Sequence, residues 1–167
     1  MDYQCTEADH AVFMRTRNDA LSILVLYVND ITMVLEDLET INQDKAALRE
    51  SYEMTDLGNI SWILGMHVMR DRDAGWIAIS QQKYTEEILE RFRKLDICPI
   101  STPTLANEHL TKLNAPEINV KLYQSTIGTL MYPMLGTCPD LAYMVAALGR
   151  HSASPGAEHQ HVLDHAF

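Results

Sequence analysis

The first third of the chain alternates short apolar runs with polar turns, a pattern typical of paired strands. A near-continuous apolar, β-branched run covers residues 21–28, and a second run covers residues 31–35. The polar residues between them predict a hairpin that turns at residues 27–30. A shorter apolar run at residues 11–14 predicts a further strand. The sequence therefore predicts a short strand followed by a β-hairpin.

Two later segments with helical spacing of apolar residues predict amphipathic helices. The first covers residues 37–52, and the second begins at Ser80, a candidate N-cap, and runs to about Leu95. Between the helices, strand-like runs at residues 61–69 and 76–80 predict a second hairpin. The apolar stripes are Leu38, Ile41, Leu48 and Tyr52 in the first helix, and Tyr84, Ile88, Phe92 and Leu95 in the second.

The last part of the chain predicts a linker followed by a pair of helices. Residues 99–121 contain three prolines and three asparagines and little periodicity. Buried helical faces follow at residues 127–135 and 141–148. Pro133 lies inside the first of these helices, where a proline kinks a helix or costs about 3 kcal/mol. The predicted fold class is α+β, with two β-hairpins packed with helices, one further helix, and then the helical pair.

Composition and charge argue against a nucleic-acid binder held mainly by phosphate contacts, a disulfide-rich domain and a membrane protein. The 167 residues include 13 basic and 23 acidic residues, which gives a net charge of −10 and disfavours binding held mainly by phosphate contacts. Three cysteines that lie far apart predict free thiols and no disulfide framework. No apolar stretch approaches membrane-spanning length and no signal peptide is evident, so we expect an intracellular protein of the cytoplasm or nucleus, with no membrane partner.

Several blocks of sequence, in the right order and spacing, resemble copia-type retrotransposon reverse transcriptases. Residues 26–31, Leu-Tyr-Val-Asn-Asp-Ile, resemble the family's Tyr-Val-Asp-Asp hairpin, and residues 54–66 resemble its "DLG…FLG" segment. Residues 79–84 resemble the entry to its thumb, and blocks within 123–143 resemble the region that leads towards ribonuclease H. The resemblance implies a partial palm-like region (1–79), a thumb-like helix (80–98), a linker (99–121) and a helical connection-like region (122–167).

The resemblance also implies a reaction and its residues. The family transfers nucleotides with two divalent ions, Mg²⁺ or Mn²⁺, which carboxylates hold. In this chain Asp30 matches one aspartate of the hairpin and is the candidate catalytic residue and metal ligand. Asn29 replaces the other aspartate, so it is a degenerate catalytic position, and the family's upstream aspartate has no evident counterpart. The primer-grip-like segment, expected to contact nucleic acid, consists of Trp62, Leu64, Gly65 and Met66; the alternative is that this apolar run is ordinary core.

Further departures from the family pattern predict a truncated and degenerate copy of the element. Gln124 and Cys138 stand where the family usually has arginine, and each of these changes, like Asn29, can arise from one C-to-T mutation on one or other DNA strand. The chain also begins at a point where the family's fingers and first half of the palm should already have been built. We therefore expect a reverse transcriptase remnant that is not catalytically competent as an isolated chain.

Two alternatives remain open for the function. Beside the inactive remnant, the first alternative is a non-catalytic protein-interaction module recruited from the element. The second is an enzyme that is active only when a second chain supplies the missing palm and fingers. Binding to an RNA/DNA template-primer is expected to be weak because of the net charge of −10. Self-association is expected because an incomplete palm leaves a sheet edge unpaired and an apolar face uncovered.

The C-terminal histidines suggest a further alternative, a zinc site. His161 and His165 have the i, i+4 spacing that zinc sites use, and His151 and His159 lie nearby in the sequence. However, no His-Glu-x-x-His motif is present, and a segment at the terminus is expected to fray. We therefore favour a structural role for these histidines.

Overall fold

The computed structural model describes residues 1–97 and 118–167, which fall into two compact units, Met1–Ile60 and Ser61–Phe167. The α+β class is confirmed: the described ranges contain two antiparallel sheets and five α-helices. None of the helices in these ranges is long and apolar enough to cross a membrane. Most of the predicted linker, residues 99–121, lies outside the described residues. The assignment of elements to palm, thumb and connection stays a prediction.

The first unit is a four-stranded antiparallel sheet followed by one helix, and its central hairpin lies where the sequence predicts it. Tyr27 pairs with Asp30, so the chain turns at Val28 and Asn29. Asp37 caps the helix, because its carboxylate accepts a hydrogen bond from the backbone N–H of Thr40 at 2.7 Å. The elements, in sheet order and then chain order, are β1 (Gln4–Cys5), β2 (Val12–Arg17), β3 (Ala20–Tyr27), β4 (Asp30–Val34) and α1 (Leu38–Ser51).

The buried face of α1 differs from the predicted apolar stripe. Leu38 and Tyr52, at the two ends of that stripe, are 69% and 65% exposed. The residue that α1 buries is an acid, Asp44, which pairs with Arg15 of β2. The stripe prediction was therefore wrong at its ends, because a polar partner on the sheet decides which helix position is buried.

The second unit begins with a three-stranded antiparallel sheet, and here the prediction of one strand over residues 61–69 was wrong. The chain reverses at Leu64 and Gly65, which have φ values of +52° and +80°. Two consecutive residues with positive φ form the tight hairpin turn that matches the natural twist of paired strands. The strands are β5 (Trp62–Ile63), β6 (Met66–Asp71) and β7 (Trp76–Ser80).

Helices complete the second unit and enclose its core. The predicted pair is in fact three helices, because residues after the pair form another one, whose Val162 and Leu163 are buried. The expectation that this terminus frays was wrong, since these two side chains join the hydrophobic core. The first helix of this unit ends at Arg91, whereas the sequence predicts that it runs to about Leu95. The helices are α2 (Gln82–Arg91), α3 (Val120–Gly136), α4 (Ala142–Gly149, after a 3₁₀ turn at Pro139–Leu141) and α5 (Ala157–His165).

Pro133 lies within α3, which continues past it to Gly136. A proline has no N–H to donate to the carbonyl four residues earlier, here that of Thr129. The hydroxyl of Tyr84, on α2, donates a hydrogen bond to this carbonyl at 3.0 Å. The proline is accommodated because a tertiary contact supplies the donor that it lacks.

Candidate functional site

The tip of the first hairpin, residues 27–30, carries the predicted catalytic positions. Asn29 and Asp30 are both exposed there. Val28, which precedes them, is 87% exposed and has a φ of +54°. The left-handed region is a true outlier for a β-branched residue, and strain of this kind clusters at functional sites. The hairpin tip therefore presents one carboxylate and one neutral amide to solvent on a strained turn.

The donor set of this hairpin tip does not fit a pair of divalent ions. Mg²⁺ and Mn²⁺ take oxygen ligands, and a two-ion site relies on carboxylates to offset the charge of the ions. Asp30 offers one carboxylate, whereas Asn29 offers only a neutral carbonyl oxygen. Within residues 1–97 and 118–167, no three His, Cys, Asp or Glu side chains are grouped so that they could hold an ion. The described residues do not complete a two-ion site.

The four residues of the primer-grip-like segment lie together around the β5–β6 turn, and we name β5, β6 and this turn the grip-like hairpin. Leu64 and Gly65 form the turn, and Met66 opens β6. Trp62 pairs across the hairpin with His67, with their ring centroids 4.9 Å apart. Trp62 and Leu64 are 52% and 45% exposed, so they are not ordinary core residues. Their exposure leaves them accessible to a ligand.

An aromatic cleft of about 420 Å³ opens beside the grip-like hairpin. The rings of Tyr84 and Tyr132 meet edge to face in it, with centroids 4.7 Å apart. Lys83 and Glu87 carry opposite charges along its margin, 4.0 Å apart. Aromatic side chains near a basic group can stack bases and contact phosphate. The lining residues are Trp62, Leu64, Gly65, Lys83, Tyr84, Glu87 and Tyr132.

Sequence reasoning missed two residues of this region, Tyr132 and Gln81. The hydroxyl of Tyr132 donates a hydrogen bond to the carbonyl of Leu64 at 2.5 Å, across 68 residues of chain. Gln81 is 2% exposed, and its side chain bonds to the backbone of α3. Local pattern assigned neither residue a role, because Ser80 is the candidate cap in the sequence and glutamine is not a preferred N-cap residue.

The C-terminal histidines are not brought together as a set of ligands. His159 is 1% exposed, its Nδ1 accepts a hydrogen bond from the backbone N–H of Gly156 at 2.7 Å, and its ring lies 4.1 Å from that of His151. His161 is exposed on the same helix. Burial and the neighbouring His151 both lower the pKa of His159. His159 is therefore a buried residue that packs within the α5 region.

Comparison with known proteins agrees with the sequence blocks. Residues 1–106 match the family model described as reverse transcriptase (RNA-dependent DNA polymerase). The chain is 37% identical over 165 residues to the retrovirus-related Pol polyprotein from transposon TNT 1-94 of Nicotiana tabacum. The aligned region covers 94% of this chain and 12% of that protein. It is 25% identical over 157 residues to the retrovirus-related Pol polyprotein from transposon RE2 of Arabidopsis thaliana. Here the aligned region covers 93% of this chain and 11% of the polyprotein.

The chain thus spans about one-tenth of the length of these two polyproteins. No solved structure matches it significantly. Because the family model matches more than half of the chain, and because the relatives are transposon Pol polyproteins, this protein belongs to the reverse transcriptase family of copia-type retrotransposons.

Proposed function

We propose that this chain is a remnant of a copia-type RNA-directed DNA polymerase that does not add nucleotides on its own. The observation that carries the proposal is Asn29 beside Asp30 at the exposed hairpin tip. Nucleotidyl transfer draws its rate mainly from fixed charge around the reacting phosphate and the bound ions. A neutral amide cannot supply the charge of the carboxylate that it replaces, so the tip holds half of the family's pair.

A primer-extension assay tests this proposal. The parent chain is incubated with a primed RNA template, labelled nucleotides and Mg²⁺ or Mn²⁺, beside an Asp30→Ala variant as the matched control. We expect no incorporation by the parent above that of the control. Incorporation that the parent performs and Asp30→Ala abolishes would show that the single carboxylate suffices, and would overturn the proposal.

We further propose that the grip-like hairpin and the aromatic cleft contact nucleic acid weakly. The exposed ring of Trp62 and the ammonium group of Lys83 support a contact with a base and a phosphate. The net charge of −10 works against it, so we expect a Kd of about 10⁻⁶–10⁻⁴ M, as in non-specific binding at physiological salt.

Titration of a labelled RNA–DNA hybrid at about 150 mM salt measures this affinity. Trp62→Ala should weaken binding by about 1 kcal/mol or more, the usual contribution of a stacked base. Trp76→Ala is the matched control, since Trp76 is 48% exposed but lies outside the cleft. If Trp62→Ala and Trp76→Ala lost equal affinity, the cleft would not be the binding site. Submicromolar binding by the parent would contradict the expected weak affinity.

A second candidate function, a protein-interaction module, is favoured by one face of the first sheet. Met14, Leu21, Tyr27 and Val34 share the face opposite that of Arg15, because neighbouring residues of a strand alternate between faces. These four apolar side chains are between 37% and 56% exposed. Exposed apolar side chains that share one face of a sheet are typical of association sites.

Light scattering at increasing protein concentration tests whether this face mediates self-association. We expect the parent to form dimers or larger species, and Leu21→Lys to shift the population towards monomer. Leu38→Lys, on α1 and 69% exposed, should leave association unchanged. A monodisperse monomer at high micromolar concentration would show that this face does not mediate self-association.

A further inference from the structure

The turn of the grip-like hairpin adopts a conformation that its first residue does not favour. Leu64 has a φ of +52°, a region in which an L-residue with a Cβ suffers steric conflict with the following carbonyl. Its side chain is 45% exposed, so burial does not compensate for that conflict. Contacts from outside the hairpin can therefore stabilise this turn.

Tyr132 of α3 supplies such a contact. Its hydroxyl donates a hydrogen bond to the carbonyl of Leu64 at 2.5 Å, directly at the turn. A Cβ placed on Gly65 would lie 3.1 Å from the same hydroxyl oxygen, so the tyrosine packs closely against both turn residues. The ring of Tyr84 meets that of Tyr132 edge to face, with centroids 4.7 Å apart.

Gln81, between β7 and α2, fixes the backbone that carries Tyr132. Its Nε2 donates a hydrogen bond to the carbonyl of Tyr132 at 3.2 Å. Its Oε1 accepts hydrogen bonds from the backbone N–H and the hydroxyl of Thr137, both at 2.8 Å. Gly136 makes room for this amide, since a Cβ there would collide with Gln81. The last turn of α3 is thus bonded to the residue that follows β7, the strand that pairs with β6 of the grip-like hairpin.

We infer that Tyr132 is a positioning residue, which holds the Leu64–Gly65 turn in the conformation that the grip-like hairpin uses to contact a nucleic-acid strand. This inference rests on the proposed weak contact with nucleic acid. Because Tyr132 lies on α3, this helix supports the grip-like hairpin. α3 lies in the part of the chain whose sequence resembles the polymerase connection.

Hydrogen exchange in Tyr132→Phe tests the positioning role separately from binding. This variant keeps the ring and removes the hydroxyl, so the amides of residues 63–67 should exchange about five- to tenfold faster, as expected for the loss of one hydrogen bond. Amides of the α4 and α5 core should be unaffected. Tyr143→Phe is the matched control, because Tyr143 is 73% exposed on α4. Unchanged exchange at residues 63–67 in Tyr132→Phe would overturn the inference.

A rescue experiment distinguishes positioning from a general loss of stability. Asparagine tolerates the left-handed region better than leucine, so Leu64→Asn in the Tyr132→Phe background should restore much of the slow exchange. Fluorescence gives a second readout: the sequence has two tryptophans, so Trp76→Phe leaves Trp62 as the sole reporter at the turn. Its emission should shift in Tyr132→Phe and return with Leu64→Asn; no shift and no rescue would contradict positioning.

Titration of the RNA–DNA hybrid then separates the two proposals. If Tyr132 positions the turn for binding, Tyr132→Phe should weaken affinity about threefold or more, whereas Tyr143→Phe should leave it unchanged. If the parent itself fails to bind, the proposed contact with nucleic acid fails. The exchange and fluorescence results still decide whether Tyr132 controls the turn.

Discussion

Arg15 of β2 and Asp44 of α1 form a buried, bidentate ion pair that joins the helix of the first unit to its sheet. The guanidinium Nη1 donates to Oδ1 at 2.9 Å and Nη2 donates to Oδ2 at 2.7 Å. Tyr3 donates its hydroxyl to the same carboxylate at 2.8 Å, and the guanidinium lies 4.4 Å above its ring. Both charged side chains are less than one-tenth exposed. Polar contacts therefore occupy the place where the sequence predicts apolar packing.

Removal of one partner of this pair should destabilise the first unit severely. Asp44→Ala leaves the guanidinium of Arg15 buried without its counter-charge, and losses of about 3–5 kcal/mol are usual in such cases. Chemical denaturation measures the change in the free energy of unfolding. Glu50→Ala, at an exposed position of the same helix, should change it by less than about 0.5 kcal/mol. If the two variants lost equal stability, the ion pair would not be the anchor of α1.

The stability of the second unit should fall on acidification because of His159. Burial, and then the neighbouring His151, lower the pKa of His159, while the nearby Glu158 opposes them. Below about pH 6.5 the unfolded chain therefore binds a proton that the folded chain excludes, and the free energy of unfolding decreases as the pH falls. His159→Asn, whose side-chain oxygen can replace Nδ1 as the acceptor for Gly156, should flatten this dependence.

Thermal melting between about pH 7 and pH 5, where histidine titrates, measures this dependence. His161→Asn is the control, since His161 is exposed on the same helix, and it should retain the slope of the parent. The assignment to His159 would be wrong if His159→Asn kept the full slope and His161→Asn lost it.

Asn29→Asp should restore a paired carboxylate at the hairpin tip and raise its affinity for divalent ions. Two like charges a few ångströms apart repel each other unless a cation lies between them. Mg²⁺ or Mn²⁺ should therefore raise the Tm of the variant more than that of the parent, while primer extension stays undetected. Asn29→Asp combined with Asp30→Asn serves as the control with one carboxylate. An equal ion effect on variant and parent would mean that residues 29 and 30 form only a turn.

Tyr84 and Pro133 should be coupled in a double-mutant cycle. Tyr84→Phe removes the donor to the Thr129 carbonyl and should cost about 1–3 kcal/mol. In the Pro133→Ala background the new N–H at position 133 can serve that carbonyl, so the same change should cost clearly less. Urea unfolding of the four proteins gives the coupling energy. Strictly additive losses would show that the tyrosine does not compensate for the proline.

The sequence by itself determined the features that arise from short-range pattern. These features are the position of the β3–β4 hairpin and its turn, the bounds of α1 between Asp37 and Tyr52, and the membership of the reverse transcriptase family. Strand alternation, helix caps and turn residues act over a few positions of the chain. Such signals can be read without knowledge of the partners across the fold.

Tertiary structure alone decided the features that depend on distant partners. The turn at Leu64 forms where a leucine disfavours it, because Tyr132 bonds to its carbonyl across 68 residues. Asp44 is buried because Arg15 neutralises it, and Pro133 fits within α3 because Tyr84 supplies a donor. Apolar periodicity indicates which face of a helix or strand is buried. It does not indicate which partner a buried polar group bonds to. The contacts that support the grip-like hairpin are of this second kind, and for that reason only the folded chain shows them.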